Sequence, residues 1–169
     1  IVPQKMLVSM NTWTLLAIPF FMLVGVVMDK SGITDRLVNF ASGLVGWLRG
    51  GMSYVSVVTG MLMGGISGSA PADTAALSGV MIPSMKRLGY PKDFAAALQA
   101  ASGSIGIIIP PSIPMVVLGS ITNISVGALF LGGIVPGILI ALSLIGISAV
   151  ICIRNGYGDI TASGFSFLT

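Results

Sequence analysis

Charged residues gather at a few points in the chain, and long uncharged stretches run between them: residues 6–28, 50–72 and 94–153 contain no acid or base. The first two stretches hold 23 residues each, and a helix needs roughly 20 to cross a bilayer. The third holds 60, too many for one crossing. Within the first, Trp13–Met28 predicts a membrane helix that accepts Pro19 as bilayer helices do. Asp29, Lys30, Ser31 and Gly32 end it. From Ile33 to Leu48 the pattern changes. Leu37, Phe40, Leu44 and Leu48 recur at helical spacing with Asp35, Arg36 and Asn39 among them. That is an amphipathic helix, lying at the interface or packed on a neighbour. The "RGG" at 49–51 breaks it.

Two later stretches are interrupted where a crossing helix should be continuous. "GGISGSAPADTAAL" (64–77) has Ser67-Gly68-Ser69-Ala70-Pro71 at its centre. The arms on either side, Tyr54–Ile66 and Ala72–Met85, are 13 and 14 residues, short for a hydrocarbon core of about 30 Å at about 1.5 Å per residue. Two short helices meeting at such a tip predict a re-entrant hairpin; two complete but short spans are the other reading. "MKRLGYPKD" (85–93) is the polar connection that follows. A helix then starts at Phe94 and meets "GSIGIIIPPSIP" (103–114). Gly103, Gly106, Pro110, Pro111 and Pro114 cannot share one regular helix, because each proline removes a donor and clashes with the preceding turn. This predicts a broken helix whose far half ends near residues 119–127. Ala128–Ile153 makes the last crossing, bent at Gly132, Gly133 and Pro136, and "RNGYGD" (154–159) stops it. The chain divides into 1–49, 50–127 and 128–169: a span with its connecting helix, the two interrupted elements, and a final span with its tail.

Composition agrees with this pattern. Of 169 residues, 54% are hydrophobic and 8% charged, with a mean hydropathy of +1.02, whereas soluble domains carry about 25% charged residues. The fold class is therefore an all-α polytopic membrane protein, with the lipid bilayer as its surroundings. Histidine and glutamate are absent and Cys152 is the one cysteine, which excludes an intrachain disulfide and a Cys/His metal site. The net charge of +3 comes from basic residues at segment ends, so it orients the chain and does not point to nucleic acid. The chain opens on Ile1, its first apolar run exceeds a signal-peptide core, and a longer parent polypeptide is expected. If residues 50–85 enter and leave on one side, Lys30, Arg36, Arg49, Lys86, Arg87, Lys92 and Arg154 share a face, with Lys5 opposite. The positive-inside rule makes that face cytoplasmic.

An unwound backbone survives in hydrocarbon only when buried in protein or lining a watery cavity. Discontinuous helices near mid-membrane mark the ion and substrate sites of secondary transporters. A hard cation such as Na⁺ wants oxygen ligands, and Ser67, Ser69, Ser102, Ser104, Ser112 and the freed carbonyls supply them. The competing reading is close helix packing through small residues. Asp73 likewise has two readings. It falls in the first turn after Pro71, where a carboxylate steadies a helix N-terminus; an ionisable group at membrane depth is also a candidate ion ligand or proton carrier. Gln99 and Asn123 read as structural. "GISG" (65–68) matches the G-x-S-G of rhomboid-type intramembrane serine proteases, but that chemistry needs a general base, normally histidine. Every lysine lies at a segment end, so the protease is a minor alternative, requiring a base from elsewhere. "GMLMGGIS" lacks the ending of a phosphate loop.

"LLAIPFFMLVGVVMDKSGI", "RLVNFASGLVGWLRGG", "GGISGSAPADTAALSGVMIPSMKRLGY" and "GSIGIIIPPSIPMVVLGSI…LFLGGIVPGIL" follow one another in an order that resembles the large membrane (permease) subunit of TRAP transporters, the tripartite ATP-independent periplasmic family. The resemblance runs from Leu15 to about Leu139. It implies a multi-pass protein of the bacterial inner membrane that imports organic acids with Na⁺ as coupling ion, through an elevator motion of a transport domain against a scaffold. A passive channel is the alternative transport reading. The implied partners are a small membrane subunit and a periplasmic substrate-binding protein, and typical substrates are C4-dicarboxylates and sialic acid. Carried over by motif, the sodium site region comprises Ser67, Gly68, Ser69 and Ala70 at the hairpin tip and Gly103, Ser104, Pro110, Pro111 and Ser112 opposite. Family members are well over twice this length and contain two inverted repeats. This chain shows one hairpin and one broken helix, so it corresponds to one inverted-repeat half of an elevator-type transporter.

Overall fold

The computed structural model describes residues 17–158. These form seven α-helices, and no strand occurs among the described residues. In chain order the helices are α1 (Ala17–Lys30), α2 (Ile33–Val45), α3 (Gly51–Ser67), α4 (Ala70–Arg87), α5 (Lys92–Ser104), α6 (Ile113–Thr122) and α7 (Val126–Asn155), with a 3-10 turn at Ile105–Ile107 between α5 and α6. The beginning of the predicted first span, residues 13–16, and the tail beyond residue 158 lie outside the described residues.

α3 is the central helix. It packs against α1, α2, α4, α5, α7 and the 3-10 turn, and the five consecutive residues from Ser53 to Val57 are buried. In a bilayer, the small and hydroxyl side chains along α3 favour such helix contacts. Its small residues decide which neighbour comes nearest. Ser56 Oγ donates to Gln99 Oε1 at 2.7 Å. A Cβ added to Gly60 would lie 2.8 Å from the Ser102 carbonyl oxygen, and one on Gly64 would overlap the backbone of Gly106. The pairs 56–99, 60–102 and 64–106 advance together, so α3 and α5 run parallel with their backbones nearly touching. Gln99 is buried; its Oε1 takes the bond from Ser56, while its Nε2 has no hydrogen-bond partner among the described residues. Asn123, with φ 57°, forms the left-handed cap of α6.

α7 crosses the outside of this group as one uninterrupted helix of 30 residues, Pro136 included. It is long and apolar enough to cross a membrane. Gly133, Gly137, Ala141, Ser148 and Cys152 form its buried stripe, while Leu131, Val135, Leu139, Leu142 and Ile153 are exposed. Such an extended bare apolar face is tolerated where lipid is the solvent.

Three predictions need correction. The hairpin arms extend to 17 and 18 residues, or about 26–27 Å, because Gly50 in the left-handed region lets α3 begin at Gly51 and Ala70-Pro71 belong to the first turn of α4. Length therefore does not separate a re-entrant hairpin from two crossings. The second correction concerns α2, which packs on α3, one of its two predicted placements, but of its large apolar stripe only Leu37 joins the contact. Thr34, Val38 and Ala41 are buried, whereas Phe40, Leu44 and Leu48 are exposed. In a bilayer, small residues favour helix contacts and large apolar ones can face lipid. α2 also ends at Val45, three residues early, before the turn that carries Gly46 and Gly50.

The third correction concerns charge. Thr34 Oγ1 donates to Met63 Sδ at 3.9 Å, and Gly46 adjoins Gly51, so α2 runs antiparallel to α3. Met63 stands about 18 Å along α3 from Gly51. Arg36 and Lys30 stay near that far level. Arg49, Lys86, Arg87, Lys92 and Arg154 collect at the other end, where α3 and α5 begin and α4 and α7 finish. The predicted single face of seven basic residues thus becomes a cluster of five.

Tyr90 is the hub of that end. It is 3% exposed, rings with Phe94 and Tyr157 at centroid distances of 6.2 Å, and its hydroxyl meets the backbone of Met52 and Ser53 at the start of α3. The Ser53 amide itself turns back to the Gly50 carbonyl at 2.8 Å, and Tyr90 packs beside this first turn from the α4–α5 loop. Tyr90→Phe is expected to lower stability by about 1 kcal/mol, the usual net worth of a buried polar contact. Thermal unfolding of the detergent-solubilised protein checks this; an unchanged midpoint contradicts a stabilising role for the hydroxyl.

Candidate functional site

The first interruption is only two residues long. α3 ends at Ser67, Gly68 turns through φ 63° with its amide on the Gly64 carbonyl at 3.1 Å, and Ser69 is extended. α4 then starts at Ala70, with Pro71 in the first turn, where its missing N–H costs nothing. The second interruption occupies residues 108–112, narrower than the predicted 103–114. Its Pro110–Pro111 bond is cis. Ser112 closes it twice: its Oγ donates to the Ile107 carbonyl at 2.6 Å and accepts from the Met115 amide at 3.5 Å.

The two interruptions are joined backbone to backbone. The Ile113 amide donates to the Gly68 carbonyl at 3.3 Å. A Cβ on Gly68 would lie 2.6 Å from the Pro111 carbonyl oxygen. Glycine is required here for both its left-handed φ and this close approach.

Beneath the junction lies a buried pair that the sequence did not announce. Ser67 Oγ donates to Asp73 Oδ1 at 2.5 Å and accepts from the Ser69 amide at 3.1 Å. Asp73 is fully buried, and its Oδ2 has no hydrogen-bond partner among the described residues. A Cβ on Gly106 would come within 2.6 Å of that oxygen, so the carboxylate is walled in by glycine backbone. Asp73 stands in the first turn of α4 as predicted, yet the hydrogen bond it accepts comes from Ser67 and not from the helix amides. Gly25 of α1 also closes on Ser67, with a Cβ–Cβ distance of 3.4 Å were it alanine.

The structure gathers Ser67, Gly68, Ser69 and Ala70 with Pro110, Pro111 and Ser112. It does not bring in all the predicted residues. Ser104 is exposed, and its Oγ donates to the Ala100 carbonyl at 2.8 Å along its own helix. Gly103 is a packing position, where any Cβ would strike the Thr74 side chain. Ser102 is buried but donates to the Leu98 carbonyl at 2.7 Å. Sequence reasoning did not assign Gly64 or Gly106 to the site. The recurrence of Gly60 and Gly64 one turn apart, above Ser67, is the signal that marks that face.

The donor set fits a hard cation. Groups of three or more His, Cys, Asp or Glu side chains are absent among the described residues, so a transition-metal site has no support. Hydroxyl, carbonyl and carboxylate oxygens are what an alkali or alkaline-earth ion takes. A buried carboxylate oxygen without a partner is costly, by several kcal/mol for an ion, and a neighbouring cation removes that cost. The one side chain bonded to Ser67 is the Asp73 carboxylate, and the described lysines are exposed, so the histidine or lysine that ordinarily activates a serine nucleophile is not beside it among the described residues.

Residues 1–164 match the family described as the tripartite ATP-independent periplasmic transporter, DctM component. The sialic acid TRAP transporter large permease protein SiaM of Vibrio cholerae is 46% identical over 154 residues, covering 91% of this chain and 36% of that protein. The C4-dicarboxylate TRAP transporter large permease protein DctM of the same organism is 49% identical over 133 residues, covering 79% of the chain and 29% of the relative. The isethionate TRAP transporter permease protein DctMQ of Oleidesulfovibrio alaskensis is 46% identical over 147 residues, 87% and 23% respectively. The chain spans about a third or less of the length of these relatives.

Proposed function

The chain belongs to the DctM-component family of tripartite ATP-independent periplasmic transporters, the large permease subunits, and from that premise we propose that it supplies one inverted-repeat half of a Na⁺-coupled importer of organic acids. As a member it is a membrane protein and a transporter component, not an enzyme. α3 and α4 act as the re-entrant hairpin, and α5, the 3-10 turn and α6 as the broken transmembrane helix. Both move together past a scaffold in an elevator cycle. The partners are a small membrane subunit and a periplasmic substrate-binding protein, and the membrane is the bacterial inner membrane. The five basic residues gathered where α3 and α5 begin and α4 and α7 finish face the cytoplasm under the positive-inside rule.

The observation that carries the ion is Asp73 Oδ2, buried without a partner beside Ser67 and the joined interruptions. Helix polarity supports the same reading. The C-terminal end of α3 brings carbonyl oxygens to the junction, which suits a cation. The N-terminus of α4 also arrives there, and the positive end of its dipole suits an anion; the first amides of α6 are taken by Gly68 and Ser112. The relatives are named for sialic acid, C4-dicarboxylate and isethionate, all anions at neutral pH, and the substrate here is of that organic-acid class.

Uptake by the complete transporter in proteoliposomes tests the coupling. With substrate equal on both sides, an inward Na⁺ gradient is expected to accumulate labelled substrate, while an equal K⁺ gradient does not. Equilibration without accumulation under the Na⁺ gradient would identify a passive channel.

A further inference from the structure

The end of the molecule opposite the hairpin tip carries a surface that the transport reading leaves unused. Lys86 and Arg87 close α4, Lys92 opens α5 and Arg154 lies in the last turn of α7, all of them exposed. Arg49 stands beside them at the start of α3. Their proximity follows from the packing beneath. Cys152 Sγ meets Ser53 Oγ at 3.6 Å, Gly50 abuts Cys152, and Tyr90 bridges Met52 and Ser53 to Phe94 and Tyr157. Asp93 is the one acid among the described residues of these segments.

We infer that this basic collar binds the headgroups of anionic phospholipids. Charge complementarity supports the occupant, since Lys and Arg side chains near a membrane surface are attracted to acidic lipid. The second argument is what borders the collar. Trp47, Leu48, Leu88 and Ile153 are exposed apolar side chains next to Arg49, Arg87 and Arg154 in sequence. Cations flanked by exposed apolar side chains match a molecule with a phosphate over hydrocarbon chains. A soluble polyanion would meet the charges and leave those side chains bare. The aromatic group of Tyr90, Phe94 and Tyr157 sits at the same level, where ring side chains favour the headgroup region.

The experiment is a thermal-shift titration of the detergent-purified protein with phosphatidylglycerol, against phosphatidylcholine of the same chains. Phosphatidylglycerol is expected to raise the melting temperature and phosphatidylcholine to leave it nearly unchanged. High salt should weaken the increment. The combined variant Lys86→Gln, Arg87→Gln, Lys92→Gln, Arg154→Gln should need more lipid for the same shift, about fivefold for each charge removed. A second variant, Lys30→Gln with Arg36→Gln, alters cations away from the collar and should titrate as the unaltered protein does. Equal shifts with both lipids, or an unaltered titration in the fourfold variant, would overturn the inference. So would an equal shift with soluble polyglutamate, which would mark the collar as a docking face for an acidic protein.

Discussion

Asp73→Asn is expected to abolish stabilisation by Na⁺ and to reduce Na⁺-driven uptake by about 100-fold, the equivalent of losing about 2.7 kcal/mol of ion binding. The substitution keeps the shape of the side chain and an oxygen for the Ser67 hydroxyl. It replaces the unpartnered acceptor, Oδ2 in the acid, with a donor or with a neutral carbonyl oxygen, and neither form attracts a cation as the carboxylate does. Without Na⁺, the variant should be at least as stable as the unaltered protein, because an uncompensated buried charge has been removed. The two halves of the result matter together. A loss of uptake with the Na⁺-dependent melting shift intact would place Asp73 in the motion and not in the ion site. Ser67→Ala should lower the shift more than Ser69→Ala, since Ser67 supplies the hydroxyl bonded to Asp73 while Ser69 is seen contributing its backbone amide.

The second large effect is expected at Gly68. A valine there must hold φ near 63°, a region that costs a β-branched residue roughly 1–3 kcal/mol. Its Cβ would also stand 2.6 Å from the Pro111 carbonyl oxygen, well inside contact distance. The joint between the two interruptions must then open, breaking the Ile113–Gly68 hydrogen bond with it. Gly68→Val should therefore lower the melting temperature with or without Na⁺, and abolish uptake. Gly79→Val is the control. Gly79 is exposed on α4 with open space where its Cβ would go, so it should retain transport. Full uptake by Gly68→Val would show that the joined interruptions are not needed for the cycle.

The breaks in the helices were legible from sequence because glycine and proline act locally: Pro110-Pro111 removes two donors, and Ser67-Gly68-Ser69 is followed by Pro71, whereas Ser102-Gly103-Ser104, with no proline beside it, stays helical. Family membership was equally legible, from long motifs in order. What escaped depends on contacts between distant segments. The buried face of α2 could not be found from its large apolar residues, because in a bilayer Phe40 and Leu44 gain nothing by turning inward, whereas Thr34 and Ala41 permit close packing. The bond between Ser67 and Asp73 spans a helix end, a turn and a helix start, which no single periodicity covers. Ser104 was grouped with the site as a hydroxyl near the break and by the motif that it shares with the family. On a helix, adjacent residues point about 100° apart, and Ser104 faces outward. The starts of α3 and α4 were set too late because Gly50 and Pro71, read as breakers, serve here as the cap of α3 and a first-turn residue of α4.

The central claim is that the junction of the two interruptions holds Na⁺. The most direct measurement is the melting temperature of the purified protein titrated with NaCl, against KCl and choline chloride at equal ionic strength. The account predicts a rise with Na⁺ alone, continuing with concentration as a ligand specific to the native state requires, and absent in Asp73→Asn. The same shift with all three salts, or a Na⁺ shift that survives in Asp73→Asn and Gly68→Val alike, would contradict it.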